Sequence, residues 1–360
     1  MRTIAYFITP HGFGHGARAC AVMNALQEIA PQIQFDIYTQ VPLWFFQDSL
    51  STHFNYHPLL TDIGLVQASP LHEDLKQTLE RLDNFLPFDP LLMAKLAQQI
   101  NKNQCELIIC DIAPLGIAVA KETGIPAVLV ENFTWDWIYE GYLDQVPEIQ
   151  KHIDFTKGLF EGVDYHIQTQ PLCHPIPADL TTQPVSRKAR LAKEAVRSKL
   201  GLPQDASVIL ISMGGIPPQH YPFLAQMATW QEMFFVIPGA SESLQRHENL
   251  VLLPHHSEFF HPDLIQAADL VVGKLGYSTL AEAYWAGIPF GYVTRTRFRE
   301  SEILGQFVEQ EMGGFAMSET QFETGDWISL LPPYLELAPR KHTGPNGADQ
   351  IARFILSLPS

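Results

Sequence analysis

A chain of 360 residues with 46% apolar content is long enough for two domains, each with its own core. Its 23 Lys and Arg against 39 Asp and Glu leave a formal net charge of −16, which disfavours a nucleic-acid partner, because a phosphate backbone calls for a basic face. The same balance still permits an anionic small ligand wherever local loops oppose the global sign.

The four cysteines (Cys20, Cys105, Cys110, Cys173) form no CxxC pair and read as free thiols in a reducing compartment. The run MRTIAYFITPHG is too short and too soon broken for a signal peptide. No apolar run approaches the roughly 18 residues that a spanning helix needs. These features predict a cytoplasmic protein whose contact with a membrane is peripheral at most.

In chain order, RTIAYFIT is an apolar strand, followed by a glycine loop and by ARACAVMNALQEIA, apolar at helical spacing. IQFDIYTQ and CELIICD follow as strands, the latter ended by Asp111. PLGIAVAKETG reads as a helix closed by Gly124, and AVLVEN as the next strand. Such alternation implies parallel strands joined by crossover helices. Residues 171 to 186, with four prolines and little periodicity, read as a linker. The basic run from Arg187 to Lys199 reads as a solvated helix face. The pattern then restarts with SVILISMGG, MFFVIPG, LVLLP, ADLVVGKLG and PFGYVTR as strands, and GADQIARFILSL closes the chain as a helix. Two α/β, doubly wound, Rossmann-like domains follow, over 1–180 and 181–344, with 345–360 a helix packing back towards the first. A ligand is expected between them, at the carboxyl ends of the strands.

ADLVVGKLGYSTLAEAYWAGIPF is the most informative stretch. Gly273 and Gly276 let the backbone approach a ligand, Ser278 and Thr279 are placed to cap the helix, and its first amides form an anion site suited to a diphosphate. Lys274 adds a cation. Glu282, one turn further along the same face, can accept two hydrogen bonds from a vicinal diol such as a ribose. The bland alternative is an ordinary, well-capped strand–turn–helix.

GKLGYSTLAEAYWAGIPF resembles the nucleotide-sugar signature of glycosyltransferases with the two-domain GT-B fold. With HGFGH at 11–15, ENFTWDWIYEGY at 131–142 and RFRESEIL at 297–304, the chain is similar over nearly its whole length to the glycosyltransferase-like N-terminal region of plant-type L-arabinokinases and its stand-alone bacterial relatives. The likeness implies two Rossmann-like domains facing a central cleft. It implies a donor site in which Gly214 and Gly215 open the second domain, His255 in LLPHH lies at the nucleobase, and Glu300 meets donor-sugar hydroxyls. Gly14 and Tyr277 join the donor contacts. Alternatively, RTRFRESE is solvated, or its Arg295, Arg297 and Arg299 meet phosphate. The chain has no Gly/Ser-rich ATP loop of the sugar-kinase type, so kinase activity is not carried over.

Three readings compete for HGFGHGA. Gly12, Gly14 and Ala17 fit a dinucleotide loop, which needs an acid at the end of the second strand, where Thr39 and Gln40 stand. His11 and His15 could bind a metal only on a helix, which three glycines oppose. In the third reading the loop carries a general base, with Asp111 fixing its tautomer. Many GT-B enzymes place a Gly-His pair in this loop, so the resemblance favours His15 first and His11 second, while both could simply hydrogen-bond the loop. Asn132 and Asp136 are candidates for acceptor hydroxyls, and Trp135, Trp137 and Tyr139 for stacking or for core.

The chain contains no D-x-D, so no metal and no dedicated cofactor is expected beyond a nucleoside-diphosphate sugar as co-substrate. Retaining GT-B enzymes often carry two glutamates separated by seven residues, the second on the ribose, whereas the position eight before Glu282 is Lys274, which favours inversion. The expected function is transfer of a sugar to an acceptor hydroxyl. The alternatives are a nucleotide-sugar epimerase or hydrolase, or a non-catalytic nucleotide-sugar-binding protein.

Overall fold

The computed structural model describes residues 2–214, 221–340 and 342–359. Strands β1 (Thr3–Ile8), β2 (Gln34–Thr39), β3 (Asn55–Pro58), β4 (Cys105–Asp111), β5 (Ala127–Glu131), β6 (Tyr165–Thr169) and β7 (Leu180–Thr182) form one parallel sheet in the order β3-β2-β1-β4-β5-β6-β7. The central strands are apolar throughout because helices cover both faces. Ile4, Tyr6 and Ile8 pack on one side, and Ala5 and Phe7 on the other.

The second sheet contains β8 (Ser207–Ser212), β9 (Met233–Pro238), β10 (Gln245–His247), β11 (Leu250–Leu253), β12 (Leu270–Lys274), β13 (Phe290–Val293) and β14 (Phe315–Met317), in the order β10-β11-β9-β8-β12-β13-β14. It is parallel except for the β10–β11 pair. β3, β7, β10 and β14 lack a sequence signal because they are three or four residues long and lie towards the sheet edges. The supposed linker thus contributes β7 to the first sheet. Helix Gly347–Ser357 lays Ala348, Ile351, Ala352 and Ile355 against the core that holds helix Gly14–Ile29.

The basic run departs from its reading as a solvated face. The Arg187 and Arg197 residues are only 8% and 2% exposed. Arg197 donates to the carbonyls of Ala267, Gln204 and Ala206 and to Asp269, satisfying a cation that the core would otherwise reject.

Each sheet reverses its strand order once, at β1/β4 and at β8/β12, and crevices open at such switch points. The end of β1 leads into the loop of His11 and His15, and β4 ends on Asp111. β8 ends on Ser212, and β12 runs into Lys274 and Gly276. Gly273 keeps the second crevice tight: its φ is +147°, and a Cβ there would lie 2.1 Å from the Ser212 carbonyl oxygen. Gly273→Ala is therefore expected to lower the unfolding free energy by about 2 kcal/mol or more, read from denaturant midpoints; an unchanged midpoint would contradict this packing.

Candidate active site

The two crevices face each other and enclose two adjoining cavities. The larger, about 580 Å³, is lined by Phe13, Trp44 and Phe45 from the first domain and by Ser212, His255, His256 and His261 from the second. The smaller, about 80 Å³, is lined by His11, His15, Arg18, Asn132, Lys274, Arg295 and Glu300. Phe13, Gly14, Gly214, Ser278 and Thr279 border both. Gly215 lies outside the described residues.

A chain of buried polar contacts crosses the smaller cavity. His15 Nδ1 lies 2.8 Å from Asp111 Oδ1. Arg18 grips the same carboxylate with two bonds, Nε to Oδ2 at 2.8 Å and Nη2 to Oδ1 at 2.7 Å. Its Nη1 donates to Asn132 Oδ1 at 2.7 Å, and Asn132 Nδ2 donates to Glu300 Oε1 at 2.8 Å, across the domain boundary. Burial pushes the Asp111 carboxyl up, but Arg18 and His15 outweigh it and hold the group below the usual carboxylate range. An ionised Asp111 requires the proton on His15 Nδ1, leaving Nε2 as the ring's free acceptor. Burial, with help from Arg18, holds His15 below the ordinary imidazole range despite the opposing pull of Asp111. Arg18 had no distinct signal beyond being an arginine in an apolar helix, because its partners lie 93 and 114 residues away.

His11 also borders the smaller cavity, but its Nε2 is 3.2 Å from Gln67 Nε2. Burial, Lys274 and His15 push it well below the imidazole range. Asp36 is held by Asn55 and Asn103, so the dinucleotide reading of this loop finds no ribose carboxylate there. Among the described residues, no group of three or more His, Cys, Asp or Glu is placed to hold a metal ion.

Helix Tyr277–Ala286 begins where the cavities meet. Its N-cap is Gly276 and no side chain caps it, a correction to the expectation for Ser278 and Thr279, which lie inside the first turn. The first amides therefore stay free of a side-chain cap at the positive end of the helix dipole. Tyr277 is buried, its ring 4.9 Å from the Arg18 guanidinium carbon and its hydroxyl accepting from the Val185 amide. Burial and Arg295 bring the Lys274 ammonium down to about 7, against Glu300 and Glu73. Burial also raises the Glu300 carboxyl, with Asn132 and Arg18 opposing. Of the three neighbouring arginines, Arg295 borders the smaller cavity and pairs with Glu73. Arg299 stacks on Trp137 and meets Glu140, and Arg297 is exposed.

Glu282, placed at the ribose by its spacing, lines neither of these cavities; with Arg187 it borders a third one of about 320 Å³ beside Asn346 and Asp349. Its side chain is 2% exposed, and its two oxygens accept from Arg187 Nε at 2.9 Å and His261 Nδ1 at 2.8 Å. Trp135 and Tyr139 are fully buried, and Trp137 nearly so. The Trp135 indole meets His11 edge-on at 5.2 Å, and Gly64 packs against it so closely that a Cβ would come within 2.8 Å. Asp136 is half-buried, and neither it nor Trp135 lines either cavity.

No family model matches the chain. It is 29% identical over 359 residues to an L-arabinokinase of Arabidopsis thaliana, a match covering 98% of this chain and 34% of that protein. The chain thus spans about a third of the length of the curated relative it matches. Among solved structures it is similar to a UDP-glucosyltransferase from Polygonum tinctorium, with a TM-score of 0.63 and 13% identity over 98% of this chain and 97% of that one. It is equally similar to CalG4, the calicheamicin glycosyltransferase, with a TM-score of 0.63 and 13% identity over 99% and 94% of the two chains. The fold is accordingly of the GT-B type, two Rossmann-like domains facing a cleft. No helix among the described residues is long and apolar enough to cross a membrane.

The His15 imidazole is expected to titrate below 6.5 in the folded chain, followed by NMR of its ring proton. Asp111→Asn moves that midpoint lower still and, by leaving Arg18 buried without its counter-charge, lowers the unfolding free energy by about 3 kcal/mol. The unfolded chain takes up a proton at His15 in the window below pH 6.5 that the folded chain resists, so this residue's contribution to stability falls as the solution is acidified. A midpoint above 6.5 would contradict this arrangement.

Proposed function

We propose that the chain is a glycosyltransferase that moves a sugar from a nucleoside-diphosphate sugar to an acceptor hydroxyl. The observation that carries this reading is the meeting of the two cavities at the uncapped start of helix Tyr277–Ala286. A diphosphate on those amides would point its nucleoside into the larger cavity, past His255, and its sugar into the smaller one, between His15 and Glu300. Gly14 supports this close approach, since a Cβ on it would stand 3.6 Å from Ser278 Oγ.

In the proposed mechanism His15 Nε2 takes the proton of the acceptor hydroxyl, Asp111 stabilises the imidazolium that forms, and the oxygen attacks the anomeric carbon. The departing diphosphate collects negative charge, which the helix amides, Arg295 and Lys274, whose protonated form the anion favours, offset without a metal. Attack from the His15 side opposite the leaving group inverts the anomeric centre. Asn132, which borders the smaller cavity with its amide bonded to Arg18 and Glu300, would orient Glu300 towards the sugar. These local cations also explain how a chain of net charge −16 would take an anionic donor.

A panel of nucleoside-diphosphate sugars, read by thermal shift, tests the donor site. At a hundred times its Kd a true donor adds about 2.7 kcal/mol of stability, a rise of a few degrees. His15→Ala is expected to keep that shift while transfer, measured by product formation, falls by about 10²–10⁴. A panel without any shift would end the donor assignment, and undiminished transfer would end that of the base.

A further inference from the structure

We infer that His261, with Ser212, reads the ribose hydroxyls of the nucleotide, and that the donor is a ribonucleoside diphosphate rather than a deoxyribonucleoside one. This rests on the donor reading above. Glu282 offers no free edge: Arg187 and His261 each occupy one of its oxygens and its side chain is 2% exposed. Burial raises this carboxyl, but Arg187 and His261 outweigh burial and hold it below the usual range, so it acts as an ionised acceptor.

That acceptor fixes the ring next to it. With Nδ1–H donated to Glu282 at 2.8 Å, His261 presents Nε2, which lies 3.2 Å from Ser212 Oγ. Both side chains line the larger cavity, together with Ser278 and Thr279 at the helix start. The ribose is joined directly to the diphosphate, so it is the first group of the nucleoside to enter this cavity. There it meets a hydroxyl and an imidazole nitrogen that bond each other in the free chain; when the Ser212 hydroxyl rotates to one ribose hydroxyl, Nε2 is released to accept from the adjacent one. Glu282 and Arg187 then act one step removed, as positioning residues that hold the imidazole. His261 opens the helix His261–Ala267, whose N-terminal turn carries Pro262, so backbone and side chain are both fixed before ligand arrives.

The test compares ADP, GDP, CDP and UDP with their 2′-deoxy and 2′,3′-dideoxy counterparts by calorimetry, and a 2′-deoxy diphosphate that binds as tightly as its ribonucleotide overturns the preference for a ribonucleoside donor. The wild type is expected to bind at least one ribonucleotide about tenfold more tightly than its dideoxy partner, the discrimination one lost hydrogen bond gives. In His261→Phe, which keeps ring volume and removes both nitrogens, that ratio falls to near one while dideoxy affinity stays within about threefold. Ser212→Ala, a smaller change, lowers the ratio by about threefold and decides the matter if His261→Phe does not melt cooperatively. Equal binding of both partners by the wild type overturns the inference, as does a ratio that survives His261→Phe. A ratio lost in Glu282→Gln but kept in His261→Phe also overturns it and makes the carboxylate the reader. If no diphosphate of the panel binds, the donor reading itself falls and this inference with it.

Discussion

The buried pair of Arg18 and Asp111 is the constraint on which the cleft depends. Neither side chain is more than 1% exposed, and two charges held so far from water are tolerable only with nearly all their hydrogen-bonding capacity used. The carboxylate satisfies this by accepting from Arg18 twice and from His15 once. The guanidinium spends its remaining reach on Asn132, which passes the chain of bonds to Glu300 in the other domain. One ion pair thereby fixes the tautomer of a histidine, the rotamer of an amide and the approach of the second domain.

Around that pair the molecule separates two electrostatic tasks. The start of helix Tyr277–Ala286 offers amides and a dipole without a side-chain cap, whereas Lys274 and Arg295 stand in the smaller cavity within reach of Glu300 and Glu73. Glu282 belongs to neither cavity wall in a simple sense, since its charge is spent on Arg187 and His261. A carboxylate of this kind orders its neighbours more than it meets solvent or ligand, and His261 stands where it would otherwise be exposed.

Much of the fold was legible because glycine and proline punctuate it. Gly124 and Gly287 end helices in the left-handed region, and the long apolar runs became the central strands of both sheets. The adjacency of His15 and Asp111 could also be read, since the ends of neighbouring parallel strands must meet at one sheet edge. What the residues did not disclose was pairing at a distance. Arg187 looks like part of a solvated basic run until Glu282, 95 residues on, is placed beside it. Trp135 looks available for stacking until Gly64 and Tyr139 close over it. The helix cap was misread because Ser-Thr is a good capping pair, while the chain turns two residues before Ser278, on Gly276, which has no side chain to accept from the first amides.

The central claim is that a diphosphate sits on the first turn of helix Tyr277–Ala286, between the two cavities. A crystal structure with a bound nucleoside diphosphate tests it most directly. The account predicts phosphate oxygens within hydrogen-bond distance of the Ser278 and Thr279 amides, with the ribose beside His261 and Ser212. A nucleotide bound instead on the first loop, with its phosphates at Gly12 and Gly14 and the helix start empty, would contradict it.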